Sequence, residues 1–138
     1  MEPKKKALEI ARLALDKKAE KVVILNIKKL STVSDYLVIC SAESERQVQA
    51  IVNAVEEGLR KAGERPLGIE GAAEGKWALM DYNDVVVHVF LEHIRSFYDL
   101  EGLWAEAPAT EVADKLKLSG AAKPGAKGGK KGPGKKGG

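Results

Sequence analysis

Few residues in this chain have a type and spacing that does chemistry, and each set can be held against what its chemistry requires. Asp81 and Asp84 are two carboxylates at close spacing, the beginning of a divalent-metal site. Metal-assisted transfer of phosphates needs two or three carboxylates clustered on strands, with metal held against the phosphates. A glycine-rich cradle usually accompanies them, and neither Gly68-x-x-Gly71 nor Gly71-x-x-x-Gly75 matches a phosphate loop. His88 and His93 stand five apart, which is no metal-ligand spacing. Cys40, the one cysteine, lies in an apolar run where a buried thiol is inert. Ser41 and Ser44 have no evident base. A metal-dependent nucleotidyl transfer at Asp81 and Asp84 is the one enzymatic reading left open, and no cofactor is implied.

A different chemistry, that of a contact surface, gathers around Trp77. Tyr82 and Asn83 form a two-residue loop between two short strands, and such a loop favours a type I′ or II′ turn. With that loop Asp81 pairs with Asp84, Leu79 with Val86 and Trp77 with His88, and all six side chains share one face. Ala78, Met80, Val85, Val87 and Val89 make the opposite face, which is purely apolar and belongs to the core. On the Trp77 face two carboxylates stand opposed, an arrangement that costs stability. Two readings fit it. The aspartates flank a turn while Trp77 and His88 pack under a helix, or Trp77 is an aromatic anchor with an acidic rim suited to a basic partner.

The elements that position these residues follow from pattern. Residues 3–18 predict a helix, with Pro3 in the first turn and an apolar stripe through Ala7, Leu8, Ala11, Ala14 and Leu15. Val22 to Ile27 and Tyr36 to Cys40 are β-branched runs that read as buried strands. Ser44-Glu45-Arg46-Gln47 has the form of a capping box. Behind it Val48, Ile51, Val52, Val55 and Leu59 fall on one helical face, and Gly63 stops the helix. Pro66 to Ile69, Trp77 to Asp81 and Val85 to Phe90 are short enough to be strands, and a last helix runs from about His93 to Trp104. Within it Phe97 and Trp104 dock on the sheet, while Arg95 lies too far before Glu101 for a direct helical pair. Residues 108–118 add a short amphipathic helix. This order predicts an α/β single domain, a mixed β-sheet covered by helices.

Composition sets the frame. The chain has 138 residues, 44% of them hydrophobic, which suits one globular domain. A single cysteine excludes an internal disulfide and fits a reducing compartment. No apolar run approaches the roughly 20 residues of a membrane-spanning helix, and the basic start lacks the apolar stretch of a secretory signal. These features point to a soluble, cytoplasmic protein. Six lysines (123, 127, 130, 131, 135 and 136) and no acid follow Gly120, so the whole-chain charge of +3 becomes −3 for residues 1–119. Residues 120–138, made of Gly, Lys, Pro and Ala, have nothing to bury and read as a disordered tail.

Two motifs then converge on one family. The first is Asp35-Tyr-Leu-Val-Ile-Cys-Ser41 followed by Ser44-x-Arg46-Gln47-Val48-x-Ala50-Ile51. The second is Glu70-Gly71…Gly75-x-Trp77…Asp81-x-x-Asp84-Val-Val-Val-His88-Val-Phe90, with Arg95-x-Phe97-Tyr98-x-Leu100-Glu101-x-Leu103-Trp104 after it. Together they resemble the ribosomal silencing factor, or Iojap, family, from about residue 3 to Ala107. The resemblance implies a fold similar to nucleotidyltransferases without their catalytic residues, over a domain of residues 1–107 with 108–119 as a short extension. It implies binding to the large ribosomal subunit through a ribosomal protein on the intersubunit face. Steric exclusion of the small subunit would then repress translation when nutrients are scarce, and some members dimerise. A role in large-subunit assembly is the alternative for such a binder. By motif position the partner-facing residues are Trp77, Asp81, Asp84 and His88 with Glu70 nearby, and Arg95 and Tyr98 in second rank. Where the family usually has Gly in the hairpin turn this chain has Asn83, which suits the same backbone.

The tail lies outside those motifs, and its lysines offer weak, salt-dependent contact with ribosomal RNA. Deleting residues 120–138 is expected to lower affinity for the large subunit mainly at low salt. An equal loss at every salt concentration in a pelleting assay would contradict this.

Overall fold

The computed structural model describes residues 1–111, so the tail and all but the start of the extension lie outside the described residues. Helix α1 (Pro3–Asp16) begins with Pro3, whose missing N–H is of no consequence in a first turn. It is followed by β1 (Glu20–Asn26), β2 (Tyr36–Ala42) and α2 (Glu45–Lys61). Next come β3 (Gly68–Glu70), β4 (Trp77–Asp81) and β5 (Val85–Leu91). Helices α3 (Glu92–Tyr98) and α4 (Leu100–Leu103) and strand β6 (Ala109–Glu111) complete the described chain.

The six strands form one mixed sheet in the order β3-β4-β5-β2-β1-β6. Only β2 and β5 run parallel, from Tyr36 beside Val85 to Ala42 beside Leu91; the other pairs are antiparallel. β2 is buried along its whole length, as a strand covered on both faces must be. On one face Ile10, Ala11 and Ala14 of α1 and Val48, Ile51, Val55 and Leu59 of α2 pack on Val22, Val38, Cys40, Val87 and Val89. On the other face Phe90, Leu37, Ile39, Val23, Leu25 and Ile27 form a second cluster, with Ile94, Trp104 and Ala107 against it. Each fully buried Val, Leu or Ile contributes about 1.5–3 kcal/mol, so these two clusters carry the fold.

The capping residues do more than end a helix. Ser44 Oγ accepts from the Gln47 N–H (3.1 Å), as the sequence predicts. Gln47 Oε1, however, accepts from Glu43 N–H (2.7 Å), one residue beyond the usual box. Its Nε2 donates to the carbonyls of Lys17 (3.1 Å) and Lys18 (3.0 Å). One amide thus ties the start of α2 to the turn that leaves α1.

Two expectations fail at the C-terminal side. The last helix is not continuous: Asp99 adopts a left-handed φ of 42° and breaks it into α3 and α4. Residues 109–111 are a strand, not a helix, because the free edge of β1 offers them a ladder. Pro108 C=O accepts from Asn26 N–H (2.9 Å) to start it, so the folded unit continues past Ala107.

A buried cation fastens the helix layer to the hairpin. Lys6 Nζ reaches Asp84 Oδ1 (2.7 Å) in the β4–β5 turn and Glu64 Oε1 (2.8 Å) after α2. Burial pulls the Lys6 ammonium down, but hydrogen bonds to Asp84 and Glu64 outweigh it and raise its pKa above 10.5. The same contact with Lys6 lowers Glu64 below the usual carboxylate range. Stability from the network is therefore complete between the ordinary Glu and Lys ranges. It is lost as pH falls through the lowered Glu64 value or rises through the raised Lys6 value. Lys6→Met should cost about 1–2 kcal/mol near neutral pH, because two partly exposed carboxylates can rehydrate. In denaturant titrations the gap from wild type should shrink below about pH 4 as Glu64 protonates.

Candidate partner-docking face

The β4–β5 hairpin carries the face predicted to bind a partner, but in a register two residues from the expected one. Trp77 stands opposite Phe90, Leu79 opposite His88 and Asp81 opposite Val86. Tyr82 belongs to the ladder, its N–H donating to Val85 C=O (2.9 Å), so Asn83 and Asp84 make the turn. The cause is the Tyr82 ring, which is buried on the helix side and adds a rung the two-residue count left out. Asn83 takes a φ of 75°, and Asp84 N–H donates to Tyr82 C=O (3.0 Å) in a γ-type turn. Asp81 Oδ1 accepts from Asn83 N–H (2.8 Å) and steadies it.

A shift of two preserves which face each strand residue occupies, and Trp77, Leu79, Asp81, Val86 and His88 still share one. Asp84 does not join them. Its carboxylate lies in the turn and is held by Lys6, so the opposed pair of aspartates, its energetic cost and the metal site it suggested are not formed. Among the described residues no group of three or more His, Cys, Asp and Glu side chains can hold a metal ion.

Trp77 is held from below. Its indole Nε1–H donates to His88 Nδ1 (3.0 Å), and its ring stacks on Phe90 with centroids 4.9 Å apart. His88 is 7% exposed, so it supports Trp77 and does not face outward itself. Burial pushes its pKa down to about 4, which leaves Nδ1 free to accept and places the ring proton on Nε2. Gly71 closes over the same strand: a Cβ there would stand 2.1 Å from Trp77 O, so only glycine fits.

Around Trp77, the side chains of Leu79, Asp81 and Val86 are half-buried, and Glu70 is exposed on β3 beside Leu79. Arg95 behaves otherwise. It is 8% exposed, and its Nη1 donates to Lys21 O (2.7 Å) and Ser41 Oγ (2.9 Å), fixing α3 to the bulged start of β1. Tyr98 closes α3. Trp104 packs on the second cluster as expected, but Phe97 is 79% exposed, because the break at Asp99 takes it off the face Trp104 uses. Sequence reasoning missed Lys6. The available signal was a lysine four residues before Ile10, on the buried stripe of α1.

Neutral His88 links the site to pH. Its folded pKa of about 4 lies below the ordinary 6.5, so the unfolded chain binds the proton first and stability falls as pH drops between those values. His88→Gln, which keeps an acceptor for Trp77, should remove on the order of 2 kcal/mol of that acid sensitivity. Unfolding curves at pH 7 and 4.5 with equal losses in both proteins would refute the assignment.

The sequence and the fold both match known proteins. A family model described as "Ribosomal silencing factor during starvation" matches residues 1–134, reaching beyond the quoted motifs and into the Lys/Gly tail. Ribosomal silencing factor RsfS of Halalkalibacterium halodurans is 43% identical over 108 residues, covering 75% of this chain and 92% of that protein. The Bacillus subtilis protein of the same name is 41% identical over 109 residues, covering 78% and 92%. A crystal structure of a Chromobacterium violaceum protein superposes with a TM-score of 0.75 at 35% identity, over 76% of this chain and 88% of that one. With all described residues inside the family match and close relatives covered almost end to end, this chain belongs to the ribosomal silencing factor family.

Proposed function

We propose that the Trp77 face docks on a ribosomal protein at the intersubunit side of the large ribosomal subunit and excludes the small subunit, repressing translation under nutrient limitation. The observation that carries this reading is a half-buried indole held rigid by His88 and Phe90 on a sheet face that mixes apolar and acidic residues. Trp77, Leu79 and Val86 supply desolvated contact area, and Asp81 and Glu70 form an acidic rim for lysines or arginines of the partner. Tyr98 is a further contact at the end of α3. Asp84, His88 and Arg95 act from behind, each holding an element that presents the face.

The mechanism is steric and needs no reaction. Asp84 is committed to Lys6, and burial pushes the Cys40 thiol up to about 12, far from a usable nucleophile. No helix of the described residues is long and apolar enough to cross a membrane, and the proposed site of action is the cytoplasm. Support comes from the family described above and from the shape of the face.

The test is light scattering of purified subunits, with the protein added before or after joining. Suppressed joining when it meets the large subunit first supports exclusion. Normal joining with the protein still pelleting on large subunits would favour a role in assembly instead. Trp77→Ala should weaken large-subunit binding by roughly 2 kcal/mol, about 30-fold. Unchanged affinity in a folded Trp77→Ala protein would remove this face from the interface.

A further inference from the structure

On the helix side of the sheet, away from Trp77, a cleft of about 290 Å³ opens between the first half of α1 and the β1–β6 edge. Leu8, Ile24 and Pro108 give it an apolar floor. Lys4, Asn26, Tyr36 and Thr110 supply its polar groups, and none of the described lining residues is acidic. Tyr36 is 5% exposed, and among the described residues its hydroxyl has no hydrogen-bond partner. That hydroxyl opens onto the cleft, whereas the Tyr82 hydroxyl, also without a partner, is sealed in the core. Lys28 Nζ stands 5.2 Å from the Tyr36 ring centroid, and neither Lys4 nor Lys28 is ion-paired among the described residues. The first turn of α1, which has no side-chain cap, adds the positive end of a 14-residue helix to the same rim.

These features select a ligand class. A bare anion would use the lysines and leave the apolar floor empty. An aliphatic chain would leave the Tyr36 and Thr110 hydroxyls and the Asn26 side-chain NH2 unmatched, while Asn26 Oδ1 already accepts from Lys28 N–H (3.1 Å). We propose that the cleft binds a nucleoside phosphate, with the phosphate at Lys4 and Lys28 and the base against Leu8, Ile24 and Pro108. The volume is near the lower end for small-molecule sites and suits one nucleotide unit. That unit can be a free nucleotide or one residue of an RNA strand. The site lies on the opposite side of the sheet from the docking face, so its success or failure is separate from that reading.

The test is calorimetric titration of the full chain with AMP, adenosine, inorganic phosphate and a penta-adenylate RNA. A parallel protein with the six tail lysines changed to Gln removes non-specific attraction. AMP or the RNA should bind one to one in both proteins, with adenosine and phosphate each about tenfold weaker than AMP. Lys4→Gln with Lys28→Gln should weaken binding about tenfold, and Tyr36→Phe about threefold, with melting temperature unchanged. Tighter binding of the RNA with the same sensitivity to these variants identifies a strand as the ligand; equal or tighter binding of AMP identifies a free nucleotide. Absence of binding by both up to about 5 mM overturns the proposal. So does binding that vanishes with the tail lysines yet ignores Lys4, Lys28 and Tyr36.

Discussion

The parallel contact between β2 and β5 is the constraint from which the rest of the architecture follows. Two parallel neighbours cannot be joined by a tight turn, so the chain must cross over between them. That crossover holds α2, β3 and β4, and it delivers β4 back as an antiparallel partner of β5. The hairpin is therefore pushed to one side of the sheet while β1 and β6 build the other. β2, flanked by β1 and β5 and buried on both faces, needs cover from two layers. α1 and α2 give one, and the chain after β5 gives the second with Ile94, Trp104 and Ala107.

That second layer sits over β1, β2 and the end of β5, and Trp77 and Val86 stand at the border of the cluster it covers. A tryptophan at such a border is normally a compromise between burial and solvent. Here the compromise is stabilised by chemistry beneath it: a neutral imidazole that accepts a hydrogen bond from the indole N–H and a phenyl ring that stacks on it. The result is a large apolar surface with little side-chain freedom left to lose on contact, which is the property that makes an anchor effective.

Much of this was legible in the sequence. The hairpin pairing gave the correct faces for the residues of β4 and β5, and the Ser44 cap and Val48–Leu59 stripe gave α2. The register of the hairpin was not legible from loop length, because Tyr82 resembles a turn residue by position and is a core residue by packing. The break at Asp99 and the pairing of 109–111 with β1 depend on tertiary contacts that no local pattern encodes. For the candidate site, the hairpin reading put Trp77 and Asp81 on one face, where the structure also has them, and the motif placed Glu70 near that face, beside Leu79 on β3. The buried roles of His88 and Arg95 and the Lys6–Asp84 contact appear only when distant segments meet.

The amide of Gln47 carries a consequence for motion. Because the same side chain caps the approach to α2 and holds the carbonyls of Lys17 and Lys18, the end of α1 cannot fray without disturbing the start of α2. The two helices are joined at that end by Gln47 and at the other by Lys6 and Glu64. Local opening of this layer is thus a concerted event, and its amides should exchange with solvent as one cooperative unit rather than helix by helix.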